Sequence, residues 1–507
     1  MRFFLNQRKE FGLLLVIIGV FFLLRVPNLT LQPIFADEAI YIRWAQVMRA
    51  ESTLRFLPLS DGKTPLFMWI LMPVLKFIED PLFAGRFLSV MSGLATLLGV
   101  FALSWRVFSL RVALWSALIY AIVPYTVFFD RMALVDSMLS AFTVWTVFFA
   151  IWLAQSVRLD IAMILGFILG GAWLTKTPAF LNLLLLPISI LVFKKAKGNS
   201  KLLKLLIFWV LAGGIAVVMY NLLRLGPGFH LISSRNADYI FTFKELSGRP
   251  LDPFIPHFND ILDWFPKLLT LPILGFMVYG VWFIVKTKNR LGWVVLLWAL
   301  APLLISMAFL KTFTARYLLT SIPLLLIIAG KGIEGISNCF SNCLRQDKFQ
   351  ISKKILSVII FLVLLIQPLI FNYQLLTNPP PDSLPKAERL GYFEMWTAGY
   401  GLKDIANYLV ERKKDGSVVV ATEGFFGTLP DGLYIYLDKA NISVVGSHAS
   451  FSAQLKDSAK DHLTFFVGNK NNLESIFPEG WFIKQYPKAL PMDGTKQDAT
   501  VIYQVLP

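Results

Sequence analysis

Long apolar stretches constrain this chain more than any other feature of its sequence. Phe11–Leu24, Leu134–Ala154, Leu205–Leu223 and Leu291–Leu310 carry hardly any charge, and each is at or near the roughly 20 residues that a helix needs to cross a bilayer. A core helix of a soluble protein would instead have one apolar face. With 56% hydrophobic and 16% charged residues, the chain is predicted to be an α-helical polytopic membrane protein.

The basic residues between the apolar stretches predict the orientation. Loops such as 106–111 and 286–290 are rich in lysine and arginine, whereas the short loops on the opposite side are not, and basic loops stay in the cytoplasm. The net charge of +16 is therefore attributed to membrane topology, with no nucleic acid as partner. The short apolar stretch Pro65–Phe77 is predicted to be juxtamembrane or re-entrant. Eleven spans are predicted, at residues 11–27, 81–104, 111–129, 134–154, 161–176, 179–193, 202–223, 266–285, 291–310, 317–332 and 355–371.

This topology puts the N-terminus in the cytoplasm, and the first loop (28–80) and everything after 371 outside it. Residues 372–398 are Pro-rich and predicted to be a linker. Residues 399–507 are predicted to form a soluble extracytoplasmic α/β domain, which either contributes to acceptor choice or acts as a structural lid. Its predicted elements are a helix at Leu402–Arg412 and strands at Ser417–Thr422, Ile442–Val445, Thr464–Val467, Trp481–Tyr486 and Thr500–Val505.

Two adjacent acids, Asp37 and Glu38, follow the first predicted span on its outer side. Ile40, Trp44 and Met48 then recur at helical spacing, which predicts an amphipathic helix at the membrane interface. In a structural interpretation, Asp37 caps this helix and Glu38 is a solvated acid. In a functional one, a general base is fixed at the bilayer surface, where a lipid-borne substrate presents its headgroup. The residues alone leave both open.

Further charges are predicted to lie on the same outer face. Lys63 stands before an apolar stretch, where a lysine either binds a phosphate or snorkels to the interface. Asp136 lies at the start of a span, and because intramembrane acids are costly it is a candidate functional residue with Arg131 as its partner. Lys176 and Arg316 lie at the outer ends of other spans, and the arginine fork suits a phosphate. This convergence predicts a binding site.

Five motifs occur in order within residues 1–330: Asp37-Glu38, Gly62-Lys63-Thr64-Pro65, Arg131 with Asp136, Leu174-Thr175-Lys176, and Arg316-Tyr317. Together they resemble the GT-C superfamily of membrane glycosyltransferases, particularly the branch with the protein O-mannosyltransferases and the aminoarabinose transferase that modifies lipid A. Members take a sugar from a polyprenyl phosphate and pass it to an acceptor outside the cytoplasm. The family often has an acid directly before the lysine, whereas here Gly62 separates Asp61 from Lys63.

The resemblance implies a role for each motif. Asp37 would be the catalytic base with Glu38 as its orienting neighbour, and Asp136 and Tyr317 would support the site. A divalent metal stays open as a cofactor, with Asp37 and Glu38 as its ligands. A single catalytic carboxylate favours one displacement with inversion at the sugar carbon. The residues expected to bind the donor phosphate are Lys63, Arg131, Lys176 and Arg316.

Two other functions remain open. A transporter or flippase of lipid-linked sugars would explain the spans and the basic site, but it leaves the outer acidic pair without a task. A membrane scaffold that presents its tail to partners predicts no convergent charged site. For the glycosyltransferase, the implied partners are a polyprenyl-phosphate-linked sugar and membrane lipid, with a lipid, glycan or protein hydroxyl as acceptor and the inner or plasma membrane as location.

Overall fold

The structure, a computed structural model, describes residues 8–194, 200–249, 251–343, 353–448, 453–474 and 477–507. The helices are α1 (Arg8–Arg25), α2 (Ala36–Ala50), α3 (Leu66–Phe77), α4 (Pro81–Val107), α5 (Leu110–Ile122), α6 (Pro124–Asp130), α7 (Val135–Ser156), α8 (Leu159–Thr175), α9 (Phe180–Leu184), α10 (Ser200–Asn221), α11 (Leu231–Tyr239), α12 (Phe243–Ser247), α13 (Phe254–Leu268), α14 (Leu271–Thr287), α15 (Arg290–Phe309), α16 (Ile322–Cys343), α17 (Lys353–Thr377), α18 (Lys386–Arg389), α19 (Leu402–Arg412), α20 (Thr428–Leu437) and α21 (Ala453–Asp461). The strands are β1 (Ile34–Phe35), β2 (Ala398–Gly399), β3 (Val418–Glu423), β4 (Ser443–Ser447), β5 (Leu463–Asn469), β6 (Phe482–Pro487) and β7 (Ala499–Val505).

The chain is an integral membrane protein built mainly of apolar helices. Five helices of the described residues are long and apolar enough to cross a membrane, or up to seven if each of two bent pairs is one span. The bent pairs are α5 with α6, at 59°, and α13 with α14, at 114°. Helical turns occupy all eleven predicted spans, although residues 186–192 form a 3₁₀ helix. The number of crossings and their orientation stay predictions.

The first loop is folded together with the tail of the chain. Strand β1 pairs antiparallel with β2, so Ile34 lies opposite Gly399, directly before the two acids of α2. Gln46 of α2 donates to the carbonyl of Ile435 in α20 at 2.8 Å, and Arg43 pairs with Asp438 at 2.7 Å. Polar residues of α2, the helix predicted to lie at the membrane interface, therefore contact the tail.

The tail forms a five-stranded sheet in the order β4-β3-β5-β7-β6. Strands β4, β3 and β5 are parallel, and β7 is antiparallel to both of its neighbours. The predicted helix Leu402–Arg412 and the five predicted strands agree with α19 and β3–β7 to within two residues. Apolar residues of this sheet, such as Val420 and Ile502, belong to the same buried cluster as those of the membrane helices.

The predicted linker also contains buried structure. Helix α18 is followed by a π-helix at Leu390–Glu394, and Glu388, Tyr392 and Phe393 are buried. This segment packs against the first loop, since the ring centres of Tyr392 and Phe35 lie 4.6 Å apart. The boundary of a separate domain at 399 stays a prediction.

Candidate functional site

Asp37 lies in the first turn of α2 between two cations. Its Oδ2 is 2.7 Å from Nη1 of Arg316, and its Oδ1 is 3.3 Å from Nζ of Lys63. Arg316 stands in the 3₁₀ helix Ala315–Thr320, just before α16, and Lys63 in the loop before α3. All three side chains are partly exposed. The tertiary fold thus brings together one predicted base and two predicted phosphate-binding residues, which we call the Asp37 cluster.

Aromatic rings surround both cations of the Asp37 cluster. Nζ of Lys63 is 5.1 Å from the ring centre of Tyr41 and 5.6 Å from that of Trp44. The guanidinium of Arg316 is 5.4 Å from the ring centre of Phe35. Its buried Nε has no hydrogen-bond partner among the residues that the structure describes.

A second ion pair lies next to the first. Lys176, at the end of α8, donates to Asp136 of α7 at 2.7 Å. Its Nζ is 4.2 Å from the ring centre of Tyr317, and the guanidinium of Arg316 is 5.3 Å from the same ring. Tyr317 therefore contacts both cations. The predicted partner of Asp136 was wrong: the acid pairs with Lys176 and not with Arg131.

Glu38 has a different environment from Asp37, although the two are adjacent. Its carboxylate is fully buried and accepts two hydrogen bonds of 2.8 Å from Arg86. It also accepts from the N–H of Phe35 at 2.9 Å and of Ala133 at 2.7 Å. Glu38, and not Asp37, thus caps the N-terminus of α2, and neither acid is simply solvated. These bonds orient the turn that carries Asp37.

Arg131 lies outside the Asp37 cluster. It is fully buried, and its guanidinium donates to the carbonyls of Arg25, Pro27 and Asn28 at 2.7–2.9 Å. Three backbone acceptors therefore hold it against the end of α1. Arg25 itself pairs with Asp130 at 3.0 Å, fully buried. These arginines join the first span to the α6–α7 turn, and no phosphate is needed to explain them.

The charges of the Asp37 cluster stabilise one another. Burial by itself would raise the pKa of Asp37, but the charges of Arg316 and Lys63 outweigh it and hold that pKa below its usual range. Burial would likewise lower the pKa of Lys63, but Tyr41, Asp37 and Asp61 outweigh it and the pKa lies above its usual range. Both groups are therefore ionised at neutral pH.

The residues present do not fit a divalent metal at the acidic pair. Both oxygens of Glu38 are occupied by Arg86 and backbone N–H groups, and both oxygens of Asp37 face cations. A hard cation needs several oxygen ligands that are free to converge. Among the described residues, no group of three or more His, Cys, Asp or Glu side chains has the geometry of a metal site.

Three residues at or next to the site are not among those predicted from the sequence. Arg86 lies within a predicted span, and the rule that intramembrane charges have partners could have found it. Glu388 and Tyr392 come from the predicted linker, where no motif marks them. Glu388 accepts a hydrogen bond from the N–H of Ala315 at 2.8 Å, next to Arg316, and only the tertiary structure shows this contact.

Comparison with known proteins identifies the fold. ArnT from Cupriavidus metallidurans matches with 15% identity over 98% of this chain and 98% of that chain, with TM-scores of 0.58 in the apo state and 0.56 when bound to undecaprenyl phosphate. The archaeal oligosaccharyltransferase AglB from Archaeoglobus fulgidus, in complex with an inhibitory peptide and a dolichol-phosphate, matches with 12% identity and a TM-score of 0.52 over 92% of this chain and 70% of that chain. The chain has the GT-C fold.

A family match supports the same resemblance. Residues 62–223 match the family described as dolichyl-phosphate-mannose-protein mannosyltransferase. This part of the GT-C fold includes Lys63, Asp136 and Lys176 but neither Asp37 nor Arg316, which the tertiary structure adds. No curated protein sequence matches the chain. The predicted resemblance to GT-C membrane glycosyltransferases is confirmed.

Proposed function

We propose that the chain is a glycosyltransferase that moves a sugar from a polyprenyl-phosphate donor to an acceptor hydroxyl outside the cytoplasm. The observation that carries the proposal is the Asp37 cluster, where a carboxylate contacts Arg316 at 2.7 Å and Lys63 at 3.3 Å. A proton acceptor and two phosphate-binding cations then lie at one site. The likeness to ArnT bound to undecaprenyl phosphate and the match to the mannosyltransferase family support the donor class.

The proposed chemistry is one displacement. Asp37 takes the proton of the acceptor hydroxyl while the hydroxyl oxygen attacks the anomeric carbon. The bond between that carbon and the phosphate oxygen breaks, and polyprenyl phosphate leaves with the electron pair. Lys63, Lys176 and Arg316 stabilise the negative charge that develops on the leaving group. Glu38 is paired with Arg86 and is not free to form a covalent intermediate with the sugar. A single displacement without such an intermediate inverts the configuration at the sugar carbon.

Donor binding would also activate the base. Without donor, Arg316 and Lys63 hold the pKa of Asp37 low, and a carboxylate with a low pKa is a weak base. The donor phosphate carries the same charge as Asp37 and competes for the same two cations. Their engagement with phosphate weakens the ion pairs of Asp37 and raises its basicity, so proton abstraction is coupled to the presence of donor.

Turnover of a radiolabelled polyprenyl-phosphate sugar by the purified protein tests the proposal. The transferase releases polyprenyl phosphate and glycosylates an acceptor, whereas a flippase or transporter moves the donor across a vesicle membrane and leaves its glycosidic bond intact. Polyprenyl-phosphate mannose, arabinose and aminoarabinose would be assayed as separate donors, since the sugar is the open part of the proposal. Movement of every donor without release of polyprenyl phosphate supports the alternative.

Asp37→Asn identifies the base. It is expected to lower kcat by at least about 100-fold, the usual contribution of a positioned base, while donor binding is kept because both cations remain. Asp61→Asn is the matched control: Asp61 also contacts Lys63, at 3.3 Å, but not Arg316. Activity of Asp37→Asn within about tenfold of wild type, or an equal loss in Asp61→Asn, would remove Asp37 from the base role.

A further inference from the structure

The backbone of Ala315, directly before Arg316, is held by two side chains. Its N–H donates to Oε1 of Glu388 at 2.8 Å, and its carbonyl accepts a hydrogen bond from the hydroxyl of Tyr125. Both side chains are buried. Glu388 belongs to the segment after the last membrane helix, and Tyr125 belongs to α6. Two distant parts of the chain thus fix the start of the 3₁₀ helix that carries Arg316.

We propose that Glu388 is a positioning residue that holds Arg316 where it reaches both Asp37 and the donor phosphate. This inference rests on the proposed function. A buried carboxyl is costly unless it is hydrogen-bonded, and the backbone N–H of Ala315 is the partner that the structure gives Glu388. An arginine contributes a fixed charge to a transition state only if its own backbone is fixed.

The same geometry makes the site sensitive to pH. Burial raises the pKa of Glu388 to about 7, although the Ala315 N–H and the charge of Arg316 oppose the rise. When Glu388 ionises, its charge partly offsets that of Arg316, so an anionic ligand binds less tightly above this pH than below it. The groups that act on Glu388 or respond to its charge are Arg316, Asp260 of α13, Tyr125 of α6 and Tyr392 of the π-helix.

Equilibrium binding of undecaprenyl phosphate to the full-length purified protein tests the inference. Radiolabelled undecaprenyl phosphate that is retained by the protein at increasing ligand concentration gives the affinity. Glu388→Ala removes the acceptor of the Ala315 N–H and is expected to weaken binding about tenfold at pH 6. At this pH Glu388 of wild type is largely neutral, so the loss of its charge does not offset the loosening of the backbone. Tyr125→Phe is expected to act in the same direction.

Glu394→Ala is the matched control. Glu394 is also buried, lies in the same segment and pairs with Arg389 at 2.6 Å, but it does not touch Ala315. Glu394→Ala is expected to leave phosphate binding within about twofold of wild type, because it does not loosen the backbone at Ala315 that positions Arg316. Equal binding by Glu388→Ala and wild type, or equal weakening by Glu388→Ala and Glu394→Ala, would overturn the positioning role.

Glu388→Gln carries the test if the alanine variant does not fold. Its amide oxygen can still accept from Ala315, but it does not titrate. Its affinity is expected to equal that of wild type at pH 6 and to exceed it about threefold at pH 8, where wild-type Glu388 is ionised. Titration of the ligand is common to both proteins and cancels in the ratio. A ratio that stays at one from pH 6 to 8 contradicts the inference. Failure of wild type to bind undecaprenyl phosphate would contradict the proposed function instead.

Discussion

At the residue scale, the acids that stand together in the sequence have separate tasks. Asp37 forms ion pairs with Arg316 and Lys63, whereas Glu38 is buried and forms an ion pair with Arg86. Successive helical residues point about 100° apart, so one carboxylate faces the site and the next faces the protein interior. The pattern of two acids predicted a functional position, but only the fold assigned each carboxylate to its partner.

The cations of the Asp37 cluster are predicted to bind the donor phosphate. Arg316→Ala and Lys63→Ala should each weaken undecaprenyl phosphate binding about tenfold, as expected for the loss of a charge-assisted contact. Arg316→Lys should restore only part of the affinity, because it keeps the charge without the fork. Arg235→Ala is the control, since Arg235 pairs with Asp61 at 3.5 Å and with Asp238, but not with Asp37. Unchanged binding by both alanine variants would show that the phosphate binds elsewhere in the protein.

The Glu38–Arg86 pair is predicted to matter for stability. Glu38→Gln leaves a buried guanidinium without its counter-charge and should lower the free energy of unfolding by about 3–5 kcal/mol, measured by denaturation in detergent. Glu38→Gln combined with Arg86→Met should recover much of this loss, since no unpaired charge remains. Asp438→Asn breaks the partly exposed pair with Arg43 and should cost less than about 1 kcal/mol. Equal losses in both single variants would contradict the buried-pair argument.

At the element scale, the loop that presents Lys63 is shaped by a close approach of another helix. Gly62 has a positive φ of 66°, and a Cβ built there would lie 2.5 Å from Cβ of Arg235 in α11. A side chain at 62 is therefore disfavoured both by backbone conformation and by space. This explains why a glycine stands where the family often has an acid, and why Asp61 reaches Lys63 from one position further away.

Gly62→Ala is expected to displace either α11 or the Lys63 loop. It should lower the free energy of unfolding by about 2 kcal/mol or more, combining overpacking with a strained φ, and should weaken phosphate binding through Lys63. Gly494→Ala is the matched control, because Gly494 has a φ of 74° with open space around it. Gly494→Ala should lower the free energy of unfolding by only about 1 kcal/mol, the cost of the strained φ alone, and should bind phosphate normally. Normal phosphate binding by Gly62→Ala would show that the position of the Lys63 loop does not affect phosphate binding.

At the scale of the whole molecule, the tail is part of the structure around the site. Strand β2 pairs with the residues just before Asp37, α20 contacts α2, and Glu388 reaches Ala315. The membrane helices and the tail share one buried apolar cluster. Since the first loop is predicted to face outward, the tail must lie on the same side of the membrane.

Cysteine labelling tests this orientation. In a variant with Cys339 and Cys343 replaced by serine, Lys414→Cys, at an exposed position of the tail, should react with a membrane-impermeant maleimide in right-side-out spheroplasts. Thr287→Cys, exposed at the end of α14, should react only after the membrane is permeabilised, because the positive-inside rule puts this basic loop in the cytoplasm. The opposite pattern would reverse the predicted topology.

The sequence alone determined the membrane class, the helical stretches, the tail elements and the GT-C resemblance. These follow from local hydrophobicity, residue spacing and short motifs, which depend on neighbours along the chain. The tertiary structure decided which charges meet. Arg131 is held by carbonyls of residues 25–28, Asp136 pairs with Lys176, and Glu388 joins the site from a segment that looked like a linker. Such contacts join residues that are far apart in sequence. A charged residue at the end of a span could pair with several oppositely charged groups, and only the tertiary packing determines which of them it contacts.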